Sequence, residues 1–108
     1  MAQDYVVLKE KNENGVIAIN KNVFKSISEI SIDDIENAIR IPSARFTKPL
    51  AVKIENNQLH ITADIKVKYG SNVSATCELV QNRIYENIVF MTGFKPADVT
   101  VNVIDFEI

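Results

Sequence analysis

The stretch Leu59-His60-Ile61-Thr62-Ala63-Asp64-Ile65-Lys66-Val67-Lys68-Tyr69-Gly70 decides the fold. Leu59, Ile61, Ala63, Ile65, Val67 and Tyr69 point one way in an extended chain. His60, Thr62, Asp64, Lys66 and Lys68 point the other way. Such period-two alternation predicts a strand with one covered face and one wet face. The covered face needs a layer above it, and the neighbouring sequence supplies helices. Gly70 ends the strand, because glycine relaxes the backbone where the chain must turn.

Downstream, Ser71 or Asn72 is placed to cap a helix. Its apolar stripe reads Val73, Cys77, Val80, Ile84, Ile88 and Met91, a helical spacing that packs on a sheet. Gly93 suits a left-handed C-terminal cap, Phe94 folds back on the last turn, and Pro96 prevents continuation. Val99, Val101 and Val103 open a last strand, after which Ile104, Phe106 and Ile108 take the opposite parity. Either a bulge intervenes, or this end is apolar on both faces. Both readings mark Ile104, Phe106 and Ile108 as a candidate pairing surface between copies.

Upstream, Glu55-Asn-Asn-Gln58 reads as a hairpin turn, since asparagine tolerates positive φ. Leu50, Val52 and Ile54 alternate before it. The loop 43–49 carries Arg45, Phe46 and Lys48, with Arg40 before it and Lys53 after it. No acid occurs over 37–53. A short strand is expected over 38–41, ended by Pro42. Before it, Asn20 caps a helix whose buried face reads Val23, Phe24, Ile27 and Ile30, stopping near 34–37, where Asn37 tolerates the left-handed conformation. Gly15-Val-Ile-Ala-Ile19 is a β-branched strand, and residues 5–8 form a short strand in an N-terminal extension over 1–14.

The order is β-β-α-β-β-β-α-β. It predicts an α+β fold in one domain over 1–108, with two helices on one face of a mixed sheet. Omitting the first and third strands leaves β-α-β-β-α-β, so a ferredoxin-like core is the leading topology.

Composition excludes function classes. The 108 residues carry 12 Lys and Arg against 14 Asp and Glu, a net charge of −2, which argues against nucleic acid as a partner. One cysteine excludes an internal disulfide and a cysteine-based zinc site. The start, Met-Ala-Gln-Asp-Tyr-Val-Val-Leu, lacks the pattern of a signal peptide. Apolar runs stop at about four residues where a span needs about 20, so direct membrane insertion is not expected. A cytoplasmic location follows, peripheral at the membrane only through a partner.

Individual residues give no reaction centre. His60 lies on the wet strand face with no positioned nucleophile. Cys77 lies on an apolar stripe and reads as a small buried hydrophobe. Asp33, Asp34 and Glu36 cluster without calcium-loop spacing and read as a solvated turn. No catalytic, cofactor or metal residue is expected. Arg40, Arg45, Phe46 and Lys48 are the candidate partner contacts.

Five pieces then carry a resemblance: Gly15-Val-Ile-Ala-Ile19, Ile35-Glu-Asn-Ala38, Val67-Lys-Tyr-Gly-Ser-Asn72, Met91-Thr-Gly-Phe94 and Val99-Thr-Val-Asn-Val103. In this order and spacing the chain resembles the alkaline shock protein, or envelope stress response, family of Gram-positive bacteria. Asn37 stands where members often have glycine, and the loop has two prolines where theirs is glycine- and lysine-rich. The resemblance implies a cytosolic protein without enzymatic activity, linked to cell-envelope homeostasis. It also implies self-association and a membrane-anchored protein partner, or else a role as regulator of an enzyme of fatty-acid synthesis or use. Within the motifs Tyr69, Gly70, Asn72, Thr92 and Gly93 have structural explanations in strand ends, turns and caps.

Overall fold

The computed structural model describes residues 3–108, the side chains of 9–12 excepted. The elements are β1 (Tyr5–Asn12), β2 (Gly15–Asn20), α1 (Lys21–Asp33), β3 (Ala38–Arg40), β4 (Leu50–Glu55), β5 (Gln58–Lys68), α2 (Val73–Thr92) and β6 (Asp98–Glu107). Strand β5 is the centre of a four-stranded sheet. On one side β4 runs antiparallel to its first half, Leu50 opposite Ala63 and Glu55 opposite Gln58. On the same side β3 pairs with its second half, Ala38 opposite Val67. Along the other side β6 runs parallel, from His60 opposite Asp98 to Lys68 opposite Glu107. Helix α2 makes the crossover between these two parallel strands, as parallel pairing requires.

The β5 alternation appears as expected through Val67, with Leu59, Ile61, Ala63, Ile65 and Val67 fully buried, whereas Tyr69 lies past the end of the strand and is exposed. They meet Phe24, Ile27 and Ile32 of α1 and Val80, Ile84 and Ile88 of α2 in one core. The α+β class and the element order agree with the sequence reading. The ferredoxin-like path does not. In that topology β2 would sit between β5 and β6, but those two are direct neighbours and β2 pairs only with β1 in a separate two-stranded sheet. The physical reason lies in β2 itself. Val16, Ile17, Ala18 and Ile19 are apolar on both faces, so no alternation assigns them to the main sheet. A short reversal at Glu13 and Asn14 brings β1 alongside at small loop-closure cost. Strand β1 accordingly runs beyond the expected 5–8 to Asn12.

The hairpin is tied to the β4–β5 turn. Asn56 and Asn57 adopt φ of 52° and 58° there, the left-handed pair a tight hairpin turn needs. The Asn57 side chain then acts as a peptide group toward β1. Its Oδ1 accepts from Val7 N at 2.8 Å, and its Nδ2 donates to Val7 O at 3.1 Å. Val6 is fully buried beside it. The arrangement is elongated, 55 × 29 × 18 Å.

Both helices start on asparagine. Asn20 Oδ1 accepts from Asn22 N, and Asn72 Oδ1 accepts from Ala75 N. Helix α2 ends at Gly93 with φ of 76°, its N–H donating to Val89 O, a left-handed position where a Cβ would be strained. Helix α1 instead ends on Asp34 in a right-handed conformation, and Asn37 does not adopt positive φ.

The buried faces are rotated from the expected stripes. In α1 the face is Phe24, Ile27, Ser28, Ser31 and Ile32, while Val23 and Ile30 are 43% and 60% exposed. The serines fit because their hydroxyls donate to Phe24 O and Ile27 O at 2.7 Å, which cancels their polarity. Their small size lets α2 approach, and Asn87 Nδ2 donates to Ser31 Oγ at 2.8 Å. In α2, Thr76 joins Val80, Ile84 and Ile88, Val73 and Cys77 are half-buried, and Met91 is exposed. Phe94 does fold back, its ring 6.2 Å from that of Phe24.

In β6 the register steps from Ile65 opposite Val103 to Lys66 opposite Asp105. Ile104 is therefore the extra residue of a bulge. Phe106 returns to the face of Val103, opposite Val67. Of the two readings of the parity change, the bulge is the one that occurs.

Phe24→Ala is expected to cost about 3–5 kcal/mol and Ile61→Ala about 2–5 kcal/mol. Ile30→Ala, on the exposed side, should stay within about 0.5 kcal/mol of the parent. Urea unfolding followed by circular dichroism checks all three.

Candidate functional site

Of the four candidate partner contacts, Arg40 is ion-paired at the surface to α1, and Arg45, Phe46 and Lys48 lie in the loop that follows β3. Arg40 leaves the sheet on the helix side and is held by α1. Its Nε and Nη2 donate to Asp33 Oδ1 and Oδ2 at 3.1 Å, and Nη1 donates to Glu29 Oε2 at 3.0 Å. The Asp33 hydrogen bonds hold the guanidinium pKa above its ordinary value, with a smaller contribution from Glu29. Asp33 and Glu36 of the acidic cluster line a surface depression of about 420 Å³ together with Arg40. Asp34 faces Arg83 at 3.5 Å. The cluster is thus largely balanced by arginines.

Arg45, Phe46 and Lys48 lie on a tight turn. Ala44 and Thr47 exchange backbone hydrogen bonds of 3.0 and 3.2 Å, leaving Arg45 and Phe46 at the tip. The Arg45 guanidinium sits 5.3 Å from the Phe46 ring centroid, within cation–π range. Phe46 is 90% exposed.

Lys48 turns toward a groove of about 240 Å³, walled by Lys21 and Lys25 of α1 and by residues 50–52 of β4. Sequence reasoning left out Lys21 and Lys25, although their four-residue spacing places them on one helix face. Asp4 reaches Lys21 at 3.4 Å. Among the described residues lining the groove none carries a carboxylate.

A second surface lies at the end of β6. The Tyr69 ring meets the Phe106 ring edge-on at 6.2 Å, and Tyr69 N donates to Glu107 O at 2.9 Å. Ile104 is 56% exposed, Phe106 47% and Tyr69 73%, and Ile108 is fully exposed. The bulge and the end of the helix layer explain this. Phe106 faces the helix side, but α2 begins only at Val73 and the chain between it and β5 is the Gly70 turn. Phe90 and Leu79, at 89% and 55% exposed, are further apolar residues that the stripe reading did not single out.

The outer sheet face is polar and self-paired. His60 Nδ1 lies 2.6 Å from Asp98 Oδ2, Asn102 Nδ2 donates to Asp64 Oδ1 at 3.0 Å, and Lys66 faces Glu107 at 3.8 Å. Thr92, one of the motif residues, caps its own helix end, its hydroxyl donating to Ile88 O and accepting from Phe94 N. Among the described residues no group of His, Cys, Asp and Glu converges as a metal site, and no helix is long and apolar enough to cross a membrane.

These features define an α+β domain with a tethered β-hairpin, one apolar surface at the end of β6 and one cationic surface beside β4. The chain belongs to the alkaline shock protein 23 family, described by a cell envelope-related function, whose family model matches residues 9–108. No curated protein matches the chain. The family assignment agrees with the ordered motifs and extends them toward both ends.

Burial pushes the Cys77 thiol pKa above its ordinary value. A raised pKa means less thiolate at mildly alkaline pH, and thiolate is the nucleophile. Alkylation of Cys77 by iodoacetamide should be slower than that of an exposed cysteine peptide and should keep rising with pH after the peptide has levelled off. Intact-mass time courses check this.

Proposed function

We propose that this protein is a non-enzymatic scaffold of cell-envelope homeostasis, which self-associates and docks on a membrane-linked protein partner. The observation that carries the reading is the apolar end of β6. Phe106 meets Tyr69 there, Ile104 and Ile108 are exposed at the same strand end, and exposed apolar side chains gathered at one end mark interaction surfaces. Self-association uses this end. The turn of Arg45 and Phe46, closed by the Ala44–Thr47 backbone pairing, meets the partner together with Lys48. Arg40 serves the fold instead, through its ion pairs with α1. The protein stays peripheral, at the inner membrane face, through the partner it binds.

Sedimentation velocity at micromolar concentration should show association that Phe106→Asp with Ile104→Asp weakens by about tenfold or more; a parent protein that sediments strictly as a monomer overturns this part. Arg45→Glu with Lys48→Glu should remove the protein from the membrane fraction of its native host with the fold unchanged by circular dichroism. Affinity capture from that host should return a membrane-anchored protein. Return of a fatty-acid carboxylase or kinase would instead make the protein a regulator of that enzyme.

A further inference from the structure

The groove between α1 and β4 has the form of a strand-addition site. Strand β4 pairs with β5 on one side only. Its other edge is engaged at a single position among the described residues, where Gln3 forms an isolated bridge with Ile54 and Gln3 N donates to Ile54 O at 2.8 Å. The chain then turns away: Lys21 N donates to Asp4 O, and Tyr5 pairs with Asn20 in the hairpin. Among the described residues nothing pairs with the outer edge at 50–53. Open edges offer unpaired backbone donors and acceptors to an incoming strand.

Gln3 and Asp4 show the binding mode in miniature. One residue after the Gln3 bridge, the Asp4 carboxylate reaches Lys21 Nζ at 3.4 Å. Backbone pairing to the β4 edge and a carboxylate on a groove lysine thus occur side by side. Beyond that point the groove offers Lys25 and Lys48, whose ammonium groups form no hydrogen bond or ion pair among the described residues. Leu50 and Val52 supply a half-buried apolar wall. Cations beside an edge reject basic strands and admit acidic ones.

We propose that this groove receives an extended acidic segment of the partner protein, which adds as a strand on β4 and sets its carboxylates against Lys25 and Lys48. The proposal rests on the partner-docking reading above and names the chemistry of that partner. A lipid headgroup would find the same lysines but would leave the backbone edge unused.

The test uses the full chain and a short fluorescent peptide alternating glutamate with valine, read by anisotropy at low salt. Saturable binding is expected. Lys25→Glu with Lys48→Glu should weaken it by about tenfold or more, with circular dichroism confirming the fold. A peptide of equal charge with proline in place of the valines should lose binding, because proline cannot donate to the ladder. Hydrogen exchange at residues 50–53 should slow on binding. Absence of binding, equal binding of the proline peptide, or indifference to charge reversal overturns the proposal. So does pelleting with phosphatidylglycerol vesicles that the same reversal abolishes while the peptide fails to bind, which assigns the lysines to lipid. If the peptide fails but native capture still returns an envelope protein, the groove assignment falls and the scaffold reading stands.

Discussion

The pairing of β5 on both of its edges is the constraint on which the rest depends. With β4 and β3 on one side and parallel β6 on the other, every other β5 side chain is fixed toward the helices. A one-residue slip would turn Leu59, Ile61, Ile65 and Val67 to water and His60, Asp64 and Lys66 into the core. Burial of a chain of branched apolar residues under two helices drives folding, and the polar outer face prevents the alternative register. Positions of α1, α2 and the loops follow from that register.

Polar groups complete the packing where apolar groups would not fit. Ser28 and Ser31 let α1 and α2 approach, and each hydroxyl returns to its own helix. Asn87 then spans the helix pair to Ser31, and Asn57 ties the hairpin to the sheet. No buried side-chain nitrogen or oxygen lacks a partner among the described residues. An unsatisfied group would cost roughly 1–3 kcal/mol, so these contacts specify the arrangement even where each adds little net stability.

The charges divide between structure and surface. Arg40 lies close to Arg45 and Lys48 in sequence but faces Glu29 and Asp33, so its charge is balanced at the surface by α1. Lys21 and Lys25 come from another element and complete a cationic wall with Lys48. The apolar end of β6 lies at the opposite edge of the sheet from β4. Two surfaces of different character thus stand at opposite edges of the sheet in a chain of a cell envelope-related family.

The sequence by itself determined the elements, the Asn20 cap, the Gly93 stop, the α+β class and the family, because each is written in local spacing or in short motifs, whereas the choice of Asn72 over Ser71 as the second cap came with the structure. It also exposed Phe46, Phe106 and Ile108 as candidates. Tertiary structure alone decided that β2 leaves the main sheet for β1, since a run apolar on both faces carries no preference for a neighbour. Only packing could rotate the helix faces away from Val23, Ile30 and Met91, because Ser28 and Ser31 look polar until their hydroxyls find a carbonyl. And only the folded chain could separate Arg40 from Lys48 and bring Lys25 to it, because charges act through distance in space, which sequence spacing does not report across elements.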